Sequence, residues 1–354
     1  MKKSLIALLV ATLPAAAFAD VTIYGKIKGG VEYVDNGTNK KTNIDDLGSR
    51  IGFKGAEDLG SGLKAIWQVE TGFGIDGQSR TGSSSGTFAN RNSFVGLQSN
   101  LGTLRLGNVS NFMDSDMGTV DVWEYSDNSL GLGLFTRDGN RLKNSVRYDL
   151  PSAVPGLTAA LQYGAKENKA GTIDTTTNKL NTDREVYSLG LGYENSGFFG
   201  KYSFQREGTA VTEGVKALRN DKHRLEVGYN ANNLYVGLGY QQEQGDDSIV
   251  WSNTGFSYAR PATAVASDKV KTQEIALTAT YTFGAITPKF SYVKGKDVKV
   301  GGQTVADTGY DQYVLGADYA ISKRTTIGAQ YGELDFKGAN KDQKAFGLNM
   351  VHAF

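Results

Sequence analysis

Apolar and polar side chains alternate along this chain with a period of two, and the pattern restarts after nearly every turn signal. Tyr187, Leu189, Leu191 and Tyr193 alternate with Ser188, Gly190 and Gly192. Leu234, Val236, Leu238 and Tyr240 alternate with Tyr235, Gly237 and Gly239, and Ile275, Leu277, Ala279, Tyr281 and Phe283 with small or polar partners. The last segment puts Phe346, Leu348, Met350, His352 and Phe354 on one face. Successive strand side chains point to opposite faces, so each segment reads as a strand with one apolar and one mostly polar or small side. A soluble sandwich would alternate as well. What separates the two is that aromatic residues often close both ends of the apolar row, as Tyr187 and Tyr193 do. Six residues at ~3.3 Å rise span roughly 20 Å, a separation suited to two interfacial girdles.

About sixteen such segments can be counted. They run from 21–34, 46–56, 62–75 and 89–98 through to 309–320, 324–336 and 342–354. Short turns, such as 57–61, 100–102, 195–197, 230–233 and 321–323, alternate with longer polar connections near 76–88, 109–142, 167–183, 208–220, 245–269 and 298–308. An even strand number with strict short–long alternation matches a bacterial outer-membrane barrel. The expected fold is all-β, a 16-stranded antiparallel transmembrane β-barrel with an inward-folded third loop. It forms a single domain over 20–354.

Residues 1–19 read as a cleaved signal peptide: Lys2 and Lys3, an apolar run from Ser4 to Leu13, then Ala17-Phe18-Ala19 before Asp20. The apolar run is short of the ~18–20 residues of a spanning helix. Composition agrees with a barrel whose lumen is polar. Only 39% of residues are hydrophobic, yet there are 45 Gly, 18 Tyr and 16 Phe, and Cys is absent. Lys and Arg total 38 against 37 Asp and Glu, so no basic excess marks a nucleic-acid binder. The two histidines, His223 and His352, have no second ligand at metal spacing. Asp114-Ser115-Asp116-Met117-Gly118 lacks the remaining positions of a calcium loop. No metal, cofactor or catalytic constellation is expected.

Parity assigns the lumen. With Ile23, Ile27 and Val31 outward, Lys26 and Lys28 face in; with Ile51 and Phe53 outward, Arg50 and Lys54 face in. Lys64, Gln68 and Glu70 lie inward between Leu63, Ala65, Trp67 and Val69, while Arg105 and Arg147 sit between apolar neighbours. An Arg facing lipid at mid-depth costs ~2–4 kcal/mol, so the lumen is the economical place. Arg91 is ambiguous, because Val95 and Leu97 share its face. The connection over 109–142 carries five acids, Asp114, Asp116, Asp121, Glu124 and Asp127. It also carries Phe112, Met113, Val120, Val122, Trp123 and Leu130, a poor exposed surface, which argues for folding inward.

Several segments together resemble the Neisseria-type porin family of Gram-negative β-proteobacteria, across essentially the whole chain after the leader. They are Asp20–Lys26, Leu47–Glu70, Arg91–Leu97, Leu104–Gly107, Ser145–Asp149, Tyr310–Tyr319 and the terminal Phe354. The resemblance implies a homotrimeric general-diffusion channel for ions and small hydrophilic solutes in the outer membrane. Its third loop would narrow the barrel, and its basic constriction cluster maps onto Lys26, Arg50, Arg91 and Arg147. It also implies that Phe354 is a signal read by the barrel-assembly machinery. Bases on the wall facing acids on the loop imply a transverse field and a weak anion preference. A substrate-selective channel and a non-conducting barrel adhesin, with its function in the loops near 167–183 or 245–269, stay open as alternatives.

Overall fold

The computed structural model describes residues 21–77, 88–125, 129–166, 172–174, 179–181, 184–208, 211–212, 215–216, 218–245, 261–265, 268–338 and 341–354. The segment 1–19 expected to be a leader, Asp127 and most of the 167–183 and 245–269 connections fall outside these residues.

Sixteen antiparallel strands form one closed wall. They are β1 (Thr22–Asp35), β2 (Lys40–Asp46 continued by Arg50–Gly60), β3 (Leu63–Gly72), β4 (Ser93–Ser99) and β5 (Gly102–Ser110). Next come β6 (Arg141–Asp149), β7 (Leu157–Gly164), β8 (Val186–Asn195), β9 (Phe198–Glu207), β10 (Asn220–Ala231) and β11 (Leu234–Gly245). The circuit ends with β12 (Val270–Tyr281), β13 (Ile286–Gly295), β14 (Tyr310–Ala320), β15 (Thr325–Phe336) and β16 (Gln343–Ala353). Each strand pairs with its sequence neighbours. The barrel closes where β16 lies against β1, with Lys26 opposite Ala353 and Asp35 opposite Lys344. Closure leaves no edge strand, which is what lipid demands of a sheet.

The short turns owe their tightness to backbone twist. Ser61-Gly62, Ser196-Gly197 and Asn232-Asn233 all have positive φ at both residues. Two-residue hairpins of this hand match the twist of the strands they join. The first turn is tighter than the sequence suggests: 57–60 belong to β2, with Asp58 opposite Lys64, so only Ser61 and Gly62 are left to turn. The second strand also starts earlier than predicted, at Lys40, because 40–46 pairs with β1 before a break at 47–49.

The two faces of the wall separate by parity. On β14, Leu315 is 62% exposed while Gln312 is fully buried; on β10, Leu225 is 43% exposed and Arg224 fully buried. This inversion of the soluble pattern is the signature of a wall with lipid outside. The apolar core lies between the wall and the chain joining β5 to β6. Val120, Trp123, Leu132, Leu134 and Phe135 of that connection pack on Ala276, Val293, Val314 and Leu334 of the wall.

Candidate functional site

The β5–β6 connection carries two single-turn helices, α1 (Phe112–Ser115) and α2 (Gly133–Thr136). Asn111 fixes its start. Its side chain accepts from the Asp114 amide at 2.9 Å and donates to the Asp138 carbonyl at 3.0 Å and to Gln205 Oε1 on β9 at 2.8 Å. From there the connection is tied to the inward face of one strand after another. Glu226 on β10 accepts from the Gly118 and Thr119 amides, each at 2.9 Å. The Thr278 hydroxyl on β12 donates to the Val120 carbonyl at 2.5 Å, and Trp123 Nε1 donates to Ser291 Oγ on β13 at 2.9 Å. Gln312 on β14 donates to the Gly131 carbonyl at 2.8 Å, and the Tyr125 hydroxyl donates to the carbonyls of Val31 on β1 and Leu348 on β16. The segment therefore lies within the barrel against the β8–β16 half of the wall.

Inward-facing glycines make berths for its aromatic rings. A Cβ at Gly190 on β8 would fall 1.9 Å from the Phe112 ring, and one at Gly239 on β11 would fall 2.5 Å from Phe135. Part of the large glycine content is thus shape, set by what the wall must receive.

The anchors include buried ion pairs that sequence reading missed. Arg137 meets Glu243 at 2.5 Å and Glu274 at 2.9 Å, and Asp138 meets the Lys222 ammonium at 2.9 Å. Burial pushes the Asp138 carboxyl up, but Lys222 and Arg137 outweigh it and hold the group well below the usual carboxylate range. Arg224 donates to Gln241 and to the Phe135 carbonyl. The signal was available: Lys222, Arg224 and Glu226 alternate with the outward Leu225 and Val227, the parity used for the first strands.

Against β1–β6 the loop touches the wall through charge. Lys28 Nζ meets Glu124 Oε2 at 2.5 Å, and Arg147 Nη2 meets Asp116 Oδ2 at 2.8 Å. Between these contacts lies a basic strip. Arg91 Nε is 2.6 Å from Glu70 Oε1, Arg50 Nε is 4.0 Å from Glu70 Oε2, and Arg141 Nη1 is 3.6 Å from Asp114 Oδ2. The Lys26 side chain makes no ion pair or hydrogen bond among the described residues. Burial raises the Glu124 carboxyl, but Lys28, Lys26 and Lys289 more than compensate, leaving it below its ordinary value. Among the described residues Asp121 makes no ion pair, and Lys289 only partly offsets its burial. Burial pushes it up to about 6, against hydrogen bonds from the Leu132 and Trp123 amides and the Thr136 hydroxyl.

The residues singled out from sequence thus divide. Lys26, Lys28, Arg50 and Arg91 line the wall facing the loop. Arg147 is 2% exposed and held beneath α1 by Asp116, Asp149, the Ser110 carbonyl and Ser115 Oγ, so it clamps the loop. Arg105 pairs with Asp149 at 2.9 Å. Lys64 is exposed near the short-turn end of β3, opposite Asp58 and Gln98, and is not brought to the loop. Arg141, absent from the sequence-based set, joins the strip because β6 begins where the loop returns. Phe354 continues the pairing of β16 with β1, exchanging backbone hydrogen bonds with Gly25 at 3.0 and 3.1 Å.

A closed barrel with an apolar outer belt and a charged lumen is a membrane-spanning channel, of the kind that crosses the bacterial outer membrane with strands. The chain belongs to the Gram-negative porin family, whose profile matches residues 4–339. It is 40% identical to the major outer membrane protein P.IB of Neisseria lactamica, covering 100% of both chains. It is 38% identical to the protein of that name from Neisseria gonorrhoeae, covering 96% of each. Among solved structures it resembles the anion-selective porin from Comamonas acidovorans, with a TM-score of 0.75 at 22% identity, covering 95% of this chain and 100% of that one. The trimer form of OmpT, an outer membrane protein of Vibrio cholerae, gives a TM-score of 0.64 at 17% identity, covering 95% and 99%. The protein is an outer-membrane diffusion channel of a Gram-negative bacterium, and not an enzyme.

Proposed function

We propose that solutes are selected in the gap between the loop and the β1–β6 wall, and that the channel weakly prefers anions. The observation that carries the sign is unequal neutralisation. Asp116 and Glu124 of the loop each have a cation within 2.8 Å, whereas among the described residues the Lys26 side chain makes no ion pair and Arg50 reaches Glu70 only at 4.0 Å. Charge in a water-filled pore is screened over ~8–10 Å, so only solutes squeezed through this gap sense the surplus. The bases proposed to act are Lys26, Arg50 and Arg91, with Lys28 partly neutralised by Glu124, Arg105 and Arg147 as support, and Lys64 as a vestibule charge. The acids are Asp114, Asp116, Asp121 and Glu124, with Asp127 on the same loop. Small hydrophilic ions and solutes pass by size and charge. Purified protein in a planar bilayer under a potassium chloride gradient should give stepwise, non-saturating conductance with a chloride-directed reversal potential. A potassium-directed potential would refute the sign.

Three further proposals belong to this reading. Residues 1–19 are an export leader cleaved before Asp20, and a mature amino terminus elsewhere would refute that. The channel is a homotrimer, as the Vibrio cholerae relative is in its trimer form. Support comes from the outer surface: Tyr148, Tyr163, Tyr187, Tyr193, Tyr281, Tyr313, Tyr319 and Tyr331 are exposed around most of the wall, while β2–β5 expose aliphatic residues such as Val95, Leu97 and Leu106. Exposed tyrosines mark lipid, and a stretch whose outward aromatics, Phe53 and Trp67, are only half-exposed suits contact with another copy. A monomeric mass in mild detergent would count against it. Finally, Phe354 serves the barrel-assembly machinery. Its removal should abolish insertion in cells, and unimpaired insertion would exclude that role.

A further inference from the structure

Tyr24, Gly52 and Glu70 stand side by side in one row across β1, β2 and β3, on the lumen face. The phenol of Tyr24 crosses the middle strand and donates its hydroxyl to Glu70 Oε2 at 3.0 Å. It can do so because Gly52 offers no side chain. A Cβ there would lie 2.3 Å from Tyr24 Cζ and 2.4 Å from its oxygen, an overlap that would force the ring away. Gln68 Nε2 donates to the same phenol oxygen at 2.7 Å, so that lone pair is taken and the hydroxyl proton is directed at Glu70.

Glu70 is only 7% exposed and has two oxygens to satisfy. Arg91 takes Oε1 at 2.6 Å and Tyr24 takes Oε2. Arg50, in the adjacent row opposite Lys26, has its Nε 4.0 Å from Oε2, beyond hydrogen-bonding distance. A neutral donor thus occupies the acceptor that a second guanidinium would otherwise seize, since charge-assisted pairs are the stronger ones.

We infer that Tyr24 is a positioning residue for ion selectivity: by capping one oxygen of Glu70 from across Gly52, it keeps the Arg50 charge available to permeating anions. This rests on the proposed role of Arg50 in the gap. Without the hydroxyl, Oε2 is buried and unpaired, and Arg50 closes onto it. The wall then presents one cation fewer although no charged residue has been changed. A purely structural Tyr24 would alter stability and leave selectivity alone.

The test is the reversal potential of the full-length channel in a potassium chloride gradient, for Tyr24→Phe, Gly52→Ala, Arg50→Gln and the pair Tyr24→Phe with Arg50→Gln. Tyr24→Phe and Gly52→Ala should each lower the chloride-to-potassium permeability ratio roughly twofold, the scale of a partly neutralised charge in a hydrated gap. In the Arg50→Gln background, Tyr24→Phe should add nothing. An unchanged ratio in Tyr24→Phe, with Arg50→Gln lowering it, overturns the inference while sparing the gap. Additive effects in the double variant overturn it too, since Arg50 would then not be the intermediary. No effect of Arg50→Gln alone removes the gap reading and this inference with it.

Discussion

Replacing Arg137 by methionine removes the cation that closes a buried cluster and leaves its two acids behind. Glu243 is 1% exposed and Glu274 4% exposed, on the adjacent strands β11 and β12. Arg137 meets both, and its guanidinium also donates to Thr272 Oγ1 at 3.0 Å and to the Leu134 carbonyl. Breaking a buried pair by removing one partner costs about 3–5 kcal/mol. An independent bound comes from protonation, because a stranded carboxyl can neutralise itself. From an ordinary value near 4.3, that costs about 3.7 kcal/mol per group at pH 7 and about 1 kcal/mol at pH 5. For the two acids the defect is therefore about 4–7 kcal/mol at pH 7, shrinking to about 1–2 kcal/mol at pH 5. The barrel should survive, since its ladder is untouched, but α2 and the chain around it should leave the wall. Arg137→Met is expected to give noisy open-channel current and protease cleavage within 129–140 at pH 7, with both defects reduced at pH 5. Arg137→Met combined with Glu243→Gln and Glu274→Gln should recover most of the loss, because no charge is then left unpaired. A quiet, protease-resistant single variant at pH 7 would show that packing alone holds the loop.

Three other outcomes follow from the same geometry. Arg147→Gln should cost about 1–3 kcal/mol of unfolding free energy in detergent, since Asp116 and Asp149 lose their shared partner but stay partly hydrated; Arg50→Gln should cost under about 1 kcal/mol and change the reversal potential instead. Gly239→Ala should cost about 1–3 kcal/mol by driving Phe135 from its berth, measured by urea unfolding, and a neutral result would mean the ring has room to shift. Asp121 tests the pH dependence. Its carboxyl is raised in the folded protein to about 6, so the folded state holds the proton more tightly than the unfolded chain. Its contribution is present below an unfolded value near 4 and is lost as pH rises through about 6. Asp121→Asn should accordingly gain about 1–2 kcal/mol over the wild type at pH 8 and little at pH 4, by urea unfolding at the two values; equal differences at both would refute the assignment.

The wall was legible in the sequence because a strand buried on one side must alternate, and lipid outside makes that alternation strict. Ile23, Ile27 and Val31 were enough to turn Lys26 and Lys28 inward, and the same parity placed Arg50, Arg105 and Arg147. Chain order and turn length then determined the strand circuit, since adjacent antiparallel strands need only a local hairpin. Parity states which face a side chain takes and nothing about its height or its partner. Lys64 obeyed the rule and still lies away from the loop, while Arg147 obeyed it and is buried as a clamp. The roles of Gly52, Gly190 and Gly239 were invisible for a related reason: a glycine in a strand does not announce the ring that will lie over it, and those rings come from 28 to 104 residues away. Only the closed barrel decided which charges pair. It brought Arg137 to Glu243 and Glu274 and held Arg50 just beyond reach of Glu70, because neutralisation depends on ångström distances between strands that the order of residues along one strand does not contain.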